Sequence, residues 1–331
     1  MNKVKIKSPA NIAFIKYWGQ RNKKLFLPYN DSFSMNLSLC YTILEIEKKE
    51  DPKIQRLYIK DYEKSKFEIK IDDSFKKVVS FYYRAKQFLK VKKDYGFIIY
   101  SYNSFPKKAG IASSASFFSA LALGFSWLFE KKLNQKNLSI LARLSGSGSS
   151  CRSIPDGFSW WYKGKKSSDS FAVSIAPPSY WNLLDIVLIL NKKGKKVSSF
   201  EGHQKAETSN LFKYRLLSLE KRLKEIKNAF LKKDFTHFGY FLEEDTISMH
   251  SVMMTQKPPL FYWSGKTLEV IKKIIELRQK GLEGYFTIDA GENIHLICQK
   301  KDKEKFLNFF KTQKEILQVI TNYPTVGTKF I

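Results

Sequence analysis

Four segments of the chain combine residue types that could do chemistry. In Thr287-Ile288-Asp289-Ala290-Gly291 a carboxylate stands at the end of a β-rich run beside a glycine turn, a good place for a general base. The same Asp could simply cap the turn. In Ser8–Gly19 (SPANIAFIKYWG) a single lysine, Lys16, interrupts an apolar extended run. Buried there, it needs an anionic partner; at a strand end it could instead snorkel to water. In Pro106–Ser116 (PKKAGIASSAS) a small-residue loop opens a helix. A helix start offers unpaired N–H groups and a positive dipole end to a phosphate, and Ser113 and Ser114 add hydroxyls. It is not a Walker A loop, since GxxxxGK[ST] occurs nowhere in the chain. Serine caps on a tightly packed helix would read the same way. In Leu144–Ser153 (LSGSGSSCRS) a hydroxyl-rich loop carries one arginine, Arg152, which could grip a carboxylate or phosphate bidentately. A plain Gly/Ser linker is the alternative. Cys151 reads as a small packed residue, because no His lies near it in sequence.

The elements that must position these groups follow no strict βαβ order. A short strand at Val4–Ile6 leads into extended chain over 11–18, and Phe67, Ile69 and Ile71 alternate with polar residues like a half-buried strand. Helical spacing covers 75–91, GFIIYSY (96–102) is β-rich, and helices are expected from Ser113 and over 137–144. Strands at 171–175 and 184–190 flank Pro177 and Pro178, the best place for a domain boundary. Beyond it, Leu216, Leu219, Leu223, Ile226 and Phe230 form a helical stripe. Helices over 238–253 and 268–277 precede paired strands at 285–289 and 294–298, and a last helix covers 302–310 with Asp302 as its N-cap. The mixture predicts an α+β protein in two halves, 1–180 and 181–331.

Composition narrows the function classes. With 331 residues, 43% hydrophobic and 15% aromatic, the chain can bury two ordinary cores and is not disordered. Its 58 basic minus 31 acidic residues give +27, which invites a nucleic-acid reading. Only 8 of the 58 are Arg, however, and the 50 Lys are spread along the chain without a basic arm. A compositional lysine bias on solvated faces, with some attraction for anionic small molecules, accounts for the charge better. Three cysteines, Cys40, Cys151 and Cys298, have no CxxC spacing, so neither a disulfide framework nor a zinc site is expected. The lysines of MNKVKIKSPAN do not fit a signal peptide. The longest apolar stretches, 117–129 and 183–190, fall short of the roughly 20 residues of a membrane helix, so a soluble cytoplasmic protein is expected.

Taken together, the four segments resemble those of mevalonate diphosphate decarboxylases, members of the GHMP kinase superfamily. The resemblance rests on SPANIAFIKYWG, NSFPKKAGIASSAS (Asn103–Ser116), ARLSGSGSSCRS (Ala142–Ser153), KKVSSFEGH (Lys195–His203) and TIDAGEN (Thr287–Asn293), in the family's order. It implies a two-domain GHMP-kinase-like fold, with a ribosomal protein S5 domain 2-like N-terminal half and a ferredoxin-like C-terminal half. The first half would carry the ATP phosphate loop, 106–116, and the second the catalytic Asp. A cleft would lie between them, often in a homodimer. The implied reaction uses ATP and Mg²⁺ to phosphorylate the 3-hydroxyl of mevalonate 5-diphosphate. Phosphate and CO₂ then leave, and isopentenyl diphosphate remains, a step of isoprenoid biosynthesis by the mevalonate pathway. Neither nucleic acid nor a membrane is implied as a partner.

Residue by residue, the resemblance makes Asp289 the group that orients the 3-hydroxyl or takes its proton, with Lys16 as its paired cation. Arg152, with Ser147 and Ser149, would hold the substrate's carboxylate and phosphate end, in one loop with Gly148, Ser150 and Cys151. Ser114 would meet the transferred phosphate, and it is the one side chain suggested as a Mg²⁺ contact. Ser113, Asn103, Gly110, Ala112 and Ser116 would complete the nucleotide side. Tyr17, Trp18, Gly19 and Gln20 would form the substrate wall, with Lys76 and Phe200 toward the diphosphate. The chain also departs from the pattern. Gln20 stands where the family has a lysine, Phe200 replaces a polar residue, His203 a common Met, and Glu292 the Pro of DAGPN. These changes leave two neighbouring readings open: a decarboxylase of the 5-monophosphate, or a GHMP kinase of another small molecule. His250, on an expected helix with no motif around it, reads as structural.

Overall fold

The computed structural model describes residues 2–106, 111, 113–192 and 197–331. Strand β1 (Lys3–Ile15) is one continuous element of 13 residues, joining the short strand and the extended stretch that the sequence suggests. From Ser8 onward both of its faces are buried, so alternation gives way to a near-continuous apolar run. A small pair, β2 (Gln20–Asn22) and β3 (Leu27–Pro28), follows. Strand β4 (Ser32–Lys49) then runs antiparallel to β1, with register shifts at Pro9/Asn11 and Ala13/Ile15 that bend the pair. β5 (Gln55–Lys60), β6 (Glu68–Ile69), β7 (Gly96–Asn103), β8 (Phe158–Trp161) and β9 (Ala172–Ala176) extend the same sheet. The strand expected around Phe67, Ile69 and Ile71 is reduced to the two residues of β6. At the sheet's edge, with a partner on one side only, its apolar side chains are exposed.

Three helices cover one face of this sheet. α1 (Asp73–Phe88) is capped by Asp72, whose side chain accepts the Ser74 N–H. α2 (Ser113–Leu128) is apolar nearly all round, and α3 (Gln135–Arg143) is capped by Asn134. Phe81, Phe118, Phe125 and Leu141 pack there against Ile6, Leu44 and Ile46.

The second half is a four-stranded antiparallel sheet of β10 (Leu183–Ile189), β11 (Gly284–Thr287), β12 (Ile294–Gln299) and β13 (Gln318–Asn322), in the order β11-β12-β10-β13. Its helices are α4 (Ser199–Lys205), α5 (Phe212–Lys232), α6 (Phe235–Thr255), α7 (Gly265–Gln279) and α8 (Lys303–Phe310). β10 shows the period-two division of a sheet between two cores. Leu184 and Ile186 meet Val270, Ile274 and Phe306 on the α7 and α8 side. Val187 faces Leu219 and Phe238 of α5 and α6, in a core that also takes Ile12, Phe14 and Phe33 from the first sheet. The two halves therefore share one buried layer. A last strand, β14 (Lys329–Phe330), returns to pair with β1, Phe330 opposite Ile6. Asp302 precedes α8 as expected, but its side chain makes no capping bond and lies 3.7 Å from Lys305 instead. Among the described residues no helix is long and apolar enough to cross a membrane, and Cys40, Cys151 and Cys298 are all buried free thiols.

Candidate active site

β1 ends at Ile15 and delivers Lys16 to the seam between the two halves. Asp289 arrives from the other side, in the turn between β11 and β12, where the Gly291 N–H donates to the Asp289 carbonyl at 2.7 Å. Lys16 Nζ lies 2.5 Å from Asp289 Oδ1. The Lys16 side chain is only 2% exposed and that of Asp289 22%, so the lysine does not snorkel and the carboxylate keeps one face open. Burial pulls the Lys16 ammonium's pKa down, against the upward pull of Asp289. Burial would raise the Asp289 carboxyl, but Lys16, His295 and Arg152 together hold it below the usual carboxylate range. The pair is thus a buried ion pair whose carboxylate is ionised at neutral pH.

Arg152 sits in a 3₁₀ turn, Gly148–Ser153, after α3. It is buried, and its plane is fixed by Nε donating to Asn11 Oδ1 at 3.0 Å and Nη1 donating to Ser32 Oγ at 2.5 Å. The serines of the same loop reach toward α2: Ser147 Oγ donates to Ser114 Oγ at 3.2 Å and lies 3.2 Å from Ser149 Oγ. Gly148 is the point of closest approach. A Cβ there would meet the Tyr17 hydroxyl and the Trp161 ring, each at 2.9 Å.

These groups line one cleft of about 470 Å³. Its aromatic wall is built from Tyr17 and Trp18, with the His203 ring between them at centroid distances of 4.3 Å from each. His203 Nδ1 accepts the Gly19 N–H at 3.1 Å, which leaves the proton of a neutral ring on Nε2. Helix α1 adds two cations, Lys77 and Arg84. Arg84 donates to the Leu144 carbonyl at 2.9 Å and to Ser80 Oγ at 2.7 Å. Among the described lining residues the cations are Lys16, Lys77, Arg84 and Arg152, and the one carboxylate is Asp289. A cleft with that balance attracts a multiply charged anion, and field lines concentrate in it. A lone carboxylate beside a cation and a row of hydroxyls can orient and deprotonate an alcohol next to a transferring phosphoryl group.

Family models match both halves: a diphosphomevalonate decarboxylase-like N-terminal domain over residues 8–172 and a mevalonate 5-diphosphate decarboxylase C-terminal domain over residues 185–327. The chain belongs to the diphosphomevalonate decarboxylase family. A diphosphomevalonate decarboxylase from Debaryomyces hansenii is 34% identical over 316 residues, 91% of this chain and 80% of that one. Mevalonate diphosphate decarboxylase from Staphylococcus aureus superposes with a TM-score of 0.92 at 31% identity, covering 100% of this chain and 98% of that one. The structure of MDDEF in complex with MVAPP, AMPPCP and magnesium gives 0.90 at 32% identity, over 99% of this chain and 98% of that one. The two-domain GHMP-kinase-like α+β fold expected from the sequence is the fold of these neighbours.

Within this decarboxylase frame, the motif residues divide into those that line the cleft and those that do not. Lys16, Tyr17, Trp18, Gln20, Ser113, Ser114, Ser147, Gly148, Ser149, Arg152 and Asp289 line it. Gly19 lies just behind, with φ of 90° and Phe212 so near that a Cβ would sit 2.8 Å from its ring. Ser150 and Cys151 are buried beneath the loop. Burial raises the Cys151 thiol to about 12, so it is not a nucleophile. Asn103 and Ser116 belong to an internal chain, both bonded to Thr42 Oγ1 at 2.8 and 2.7 Å. Lys76 points to water, 3.6 Å from Asp73, while its neighbour Lys77 faces the cleft. Gly110 and Ala112 lie outside the described residues, as does the side chain of Phe200 in α4. Sequence reasoning passes over Arg84, and also Asp245 and Arg215, which bond the backbone of Lys16. His250 is buried on α6, bonded to the Ile288 carbonyl at 3.2 Å, and burial pulls it down to about 3. A neutral ring of that kind braces the Asp289 turn.

Proposed function

We propose that this chain catalyses the ATP-dependent decarboxylation of mevalonate 5-diphosphate to isopentenyl diphosphate. The observation that carries the proposal is the Lys16–Asp289 pair, 2.5 Å apart, at the head of a cleft that also holds Arg152 and the hydroxyls of Ser114, Ser147 and Ser149. The substrate's 3-hydroxyl is tertiary and a poor leaving group, so it has to be phosphorylated before it can depart. Ionised Asp289 accepts its hydrogen bond and aligns the oxygen. As that oxygen bonds to the terminal phosphorus of ATP and ADP leaves, the proton passes to Asp289. Lys16 keeps the carboxylate ionised and offsets charge on the transferring group. The C3–O bond then breaks, phosphate departs, and the electron pair of the C1–C2 bond becomes the new double bond as CO₂ forms. Arg152 holds the carboxylate without trapping it, since an interaction kept equally in the ground state would not speed its loss.

The cleft suits Mg²⁺ that arrives with ATP. Among the described residues no cluster of three His, Cys, Asp or Glu could cage a metal, and the one lining carboxylate is committed to Lys16. Mg²⁺ is commonly held by substrate phosphates and water, so the Ser114 hydroxyl is the protein contact on offer. Bound there, it would supply charge neutralisation of the phosphates during transfer.

The reading extends to a division into halves at 180/181, which the two main sheets support, β14 alone crossing back to the first. It also extends to a homodimer, on the family resemblance, and to the cytoplasm, on three free buried thiols. Mass spectrometry of a reaction with ATP and mevalonate 5-diphosphate tests the function: ADP, phosphate, CO₂ and isopentenyl diphosphate should form in equal amounts. ADP without CO₂ would make the chain a kinase. A second reading, a preference for the 5-monophosphate, is favoured by Gln20, a neutral residue bonded to the Tyr17 hydroxyl at 3.5 Å. Lys77 and Arg84 weigh against it, as cations near enough to line the same cleft. Comparing kcat/KM for the two phosphate esters separates these readings.

A further inference from the structure

Past Ile15, the last residue of β1, the backbone of Lys16 has no strand beside it. Buried N–H and C=O groups must find partners elsewhere. Here they find side chains, and two of these come from the other half of the molecule. Asp245 Oδ2, on α6, accepts the Lys16 N–H at 2.7 Å. Arg215 Nη2, on α5, donates to the Lys16 carbonyl at 3.1 Å, and Asn30 Nδ2 adds a second donor at 3.0 Å. Arg215 is itself tied to Asp245, through Nη2 to Oδ2 at 3.1 Å and through Nη1 to the Asp245 carbonyl at 3.1 Å. Two turns along α5, Arg222 donates to Asp245 Oδ1 at 3.2 Å and to Glu244 at 2.7 Å. Asp245 is 0%, Arg215 3% and Arg222 4% exposed.

A buried ionic network is weak ground for stability, since well-packed apolar residues often serve as well. Its distinctive product is geometry. The Lys16 N–H belongs to one peptide plane and the Lys16 carbonyl to the next. A carboxylate and a planar guanidinium, bonded to each other, hold one plane apiece and so fix the direction in which the Lys16 side chain leaves the backbone. That direction ends 2.5 Å from Asp289. We propose that Asp245 and Arg215 form a clamp that positions Lys16 against Asp289 for phosphoryl transfer. The inference rests on the function proposed above. Both are positioning residues, since neither lines the cleft. The charge of Asp245 also favours the Lys16 ammonium, alongside Asp289 and against burial and Arg152.

The test compares three variants with wild type in kcat, both KM values and thermal midpoint. Arg215→Met removes the Lys16 carbonyl bond while Arg222 still faces Asp245. It should lower kcat by about 10- to 100-fold, as a small misplacement of a reacting group does, with the KM for ATP and for substrate each within about threefold. Arg278→Met is the control. It breaks an ion pair with Glu243 on the same α6, 2.9 Å long, that does not touch Lys16. It should lose a comparable thermal midpoint and keep kcat within about twofold. Arg215→Lys is one bond short of the Nη2 that reaches both the Lys16 carbonyl and Asp245, and it has no second nitrogen for the Asp245 carbonyl, so its kcat should fall at least about fivefold; it decides the matter if Arg215→Met does not fold. Wild-type kcat in either Arg215 variant overturns the clamp, and so does an equal fall in Arg278→Met. Absence of turnover in wild type itself would remove the proposed function, and the clamp with it.

Discussion

Ser113 and Ser114 are adjacent, and Ser114 is bonded across the cleft to the serine loop after α3, through Ser147 at 3.2 Å. A hydroxyl at the transferring phosphate acts mainly in the transition state, and one on the nucleotide side acts in binding. Ser114→Ala should therefore lower kcat by about tenfold or more while the KM for ATP stays within about threefold. Ser113→Ala should do the reverse. Steady-state kinetics of both variants check this, and identical profiles would contradict the division of roles. Arg152 makes a sharper case. Two of its nitrogens are tied to Asn11 and Ser32, so the fork presents a fixed edge to the cleft. Arg152→Lys should not rescue function, because a point charge cannot reproduce that fork. Losing a charged hydrogen bond costs roughly 1.5–3 kcal/mol, or about 10- to 150-fold in kcat/KM. A variant that turned over like wild type would refute the assignment.

At the scale of elements, the loop after α3 has to pass under Tyr17 and beside Trp161, and only glycine fits at position 148. Gly148→Ala should cost about 1–3 kcal/mol of stability by overpacking and raise the substrate KM. Thermal melts and kinetics on the same sample measure both; an unchanged melting point would mean that the loop has room to move. Much of this layer was readable in the sequence. Lys16, Arg152 and Asp289 each sit in a segment whose neighbours announce a strand end, a serine loop or a glycine turn. The α5 stripe was equally plain, but Arg215 and Arg222 lie on the buried side of that helix too. Two arginines seven apart on an apolar face are a signal that something anionic lies opposite, yet their partner, Asp245, could not be named before the fold brought α6 alongside. β4 shows the opposite lesson. Leu44 and Ile46 alternate with Glu45 and Glu47, a strand pattern that the reading of the sequence passes over. The similar alternation of Phe67, Ile69 and Ile71 produced almost no strand, because the sheet's edge offered it a partner on one side only.

For the whole molecule, the charge of +27 has a local counterpart, a cleft with four lining cations and one lining carboxylate among the described residues. Many of the other described lysines stand on the surface, some in exposed pairs that contribute little to stability. The proposed reacting pair also spans the molecule: Lys16 directly follows β1 of the first sheet and Asp289 lies in a turn of the second, and a core shared by both halves joins them. The most direct test of this account is the turnover of Asp289→Asn, measured beside its affinity for ATP. The isosteric amide keeps the turn and the cleft but can neither take a proton nor pair with an ammonium. The account predicts a fall in kcat of about 10²–10⁴-fold, with the ATP dissociation constant within about threefold of wild type. A variant that kept even half the wild-type rate would contradict it.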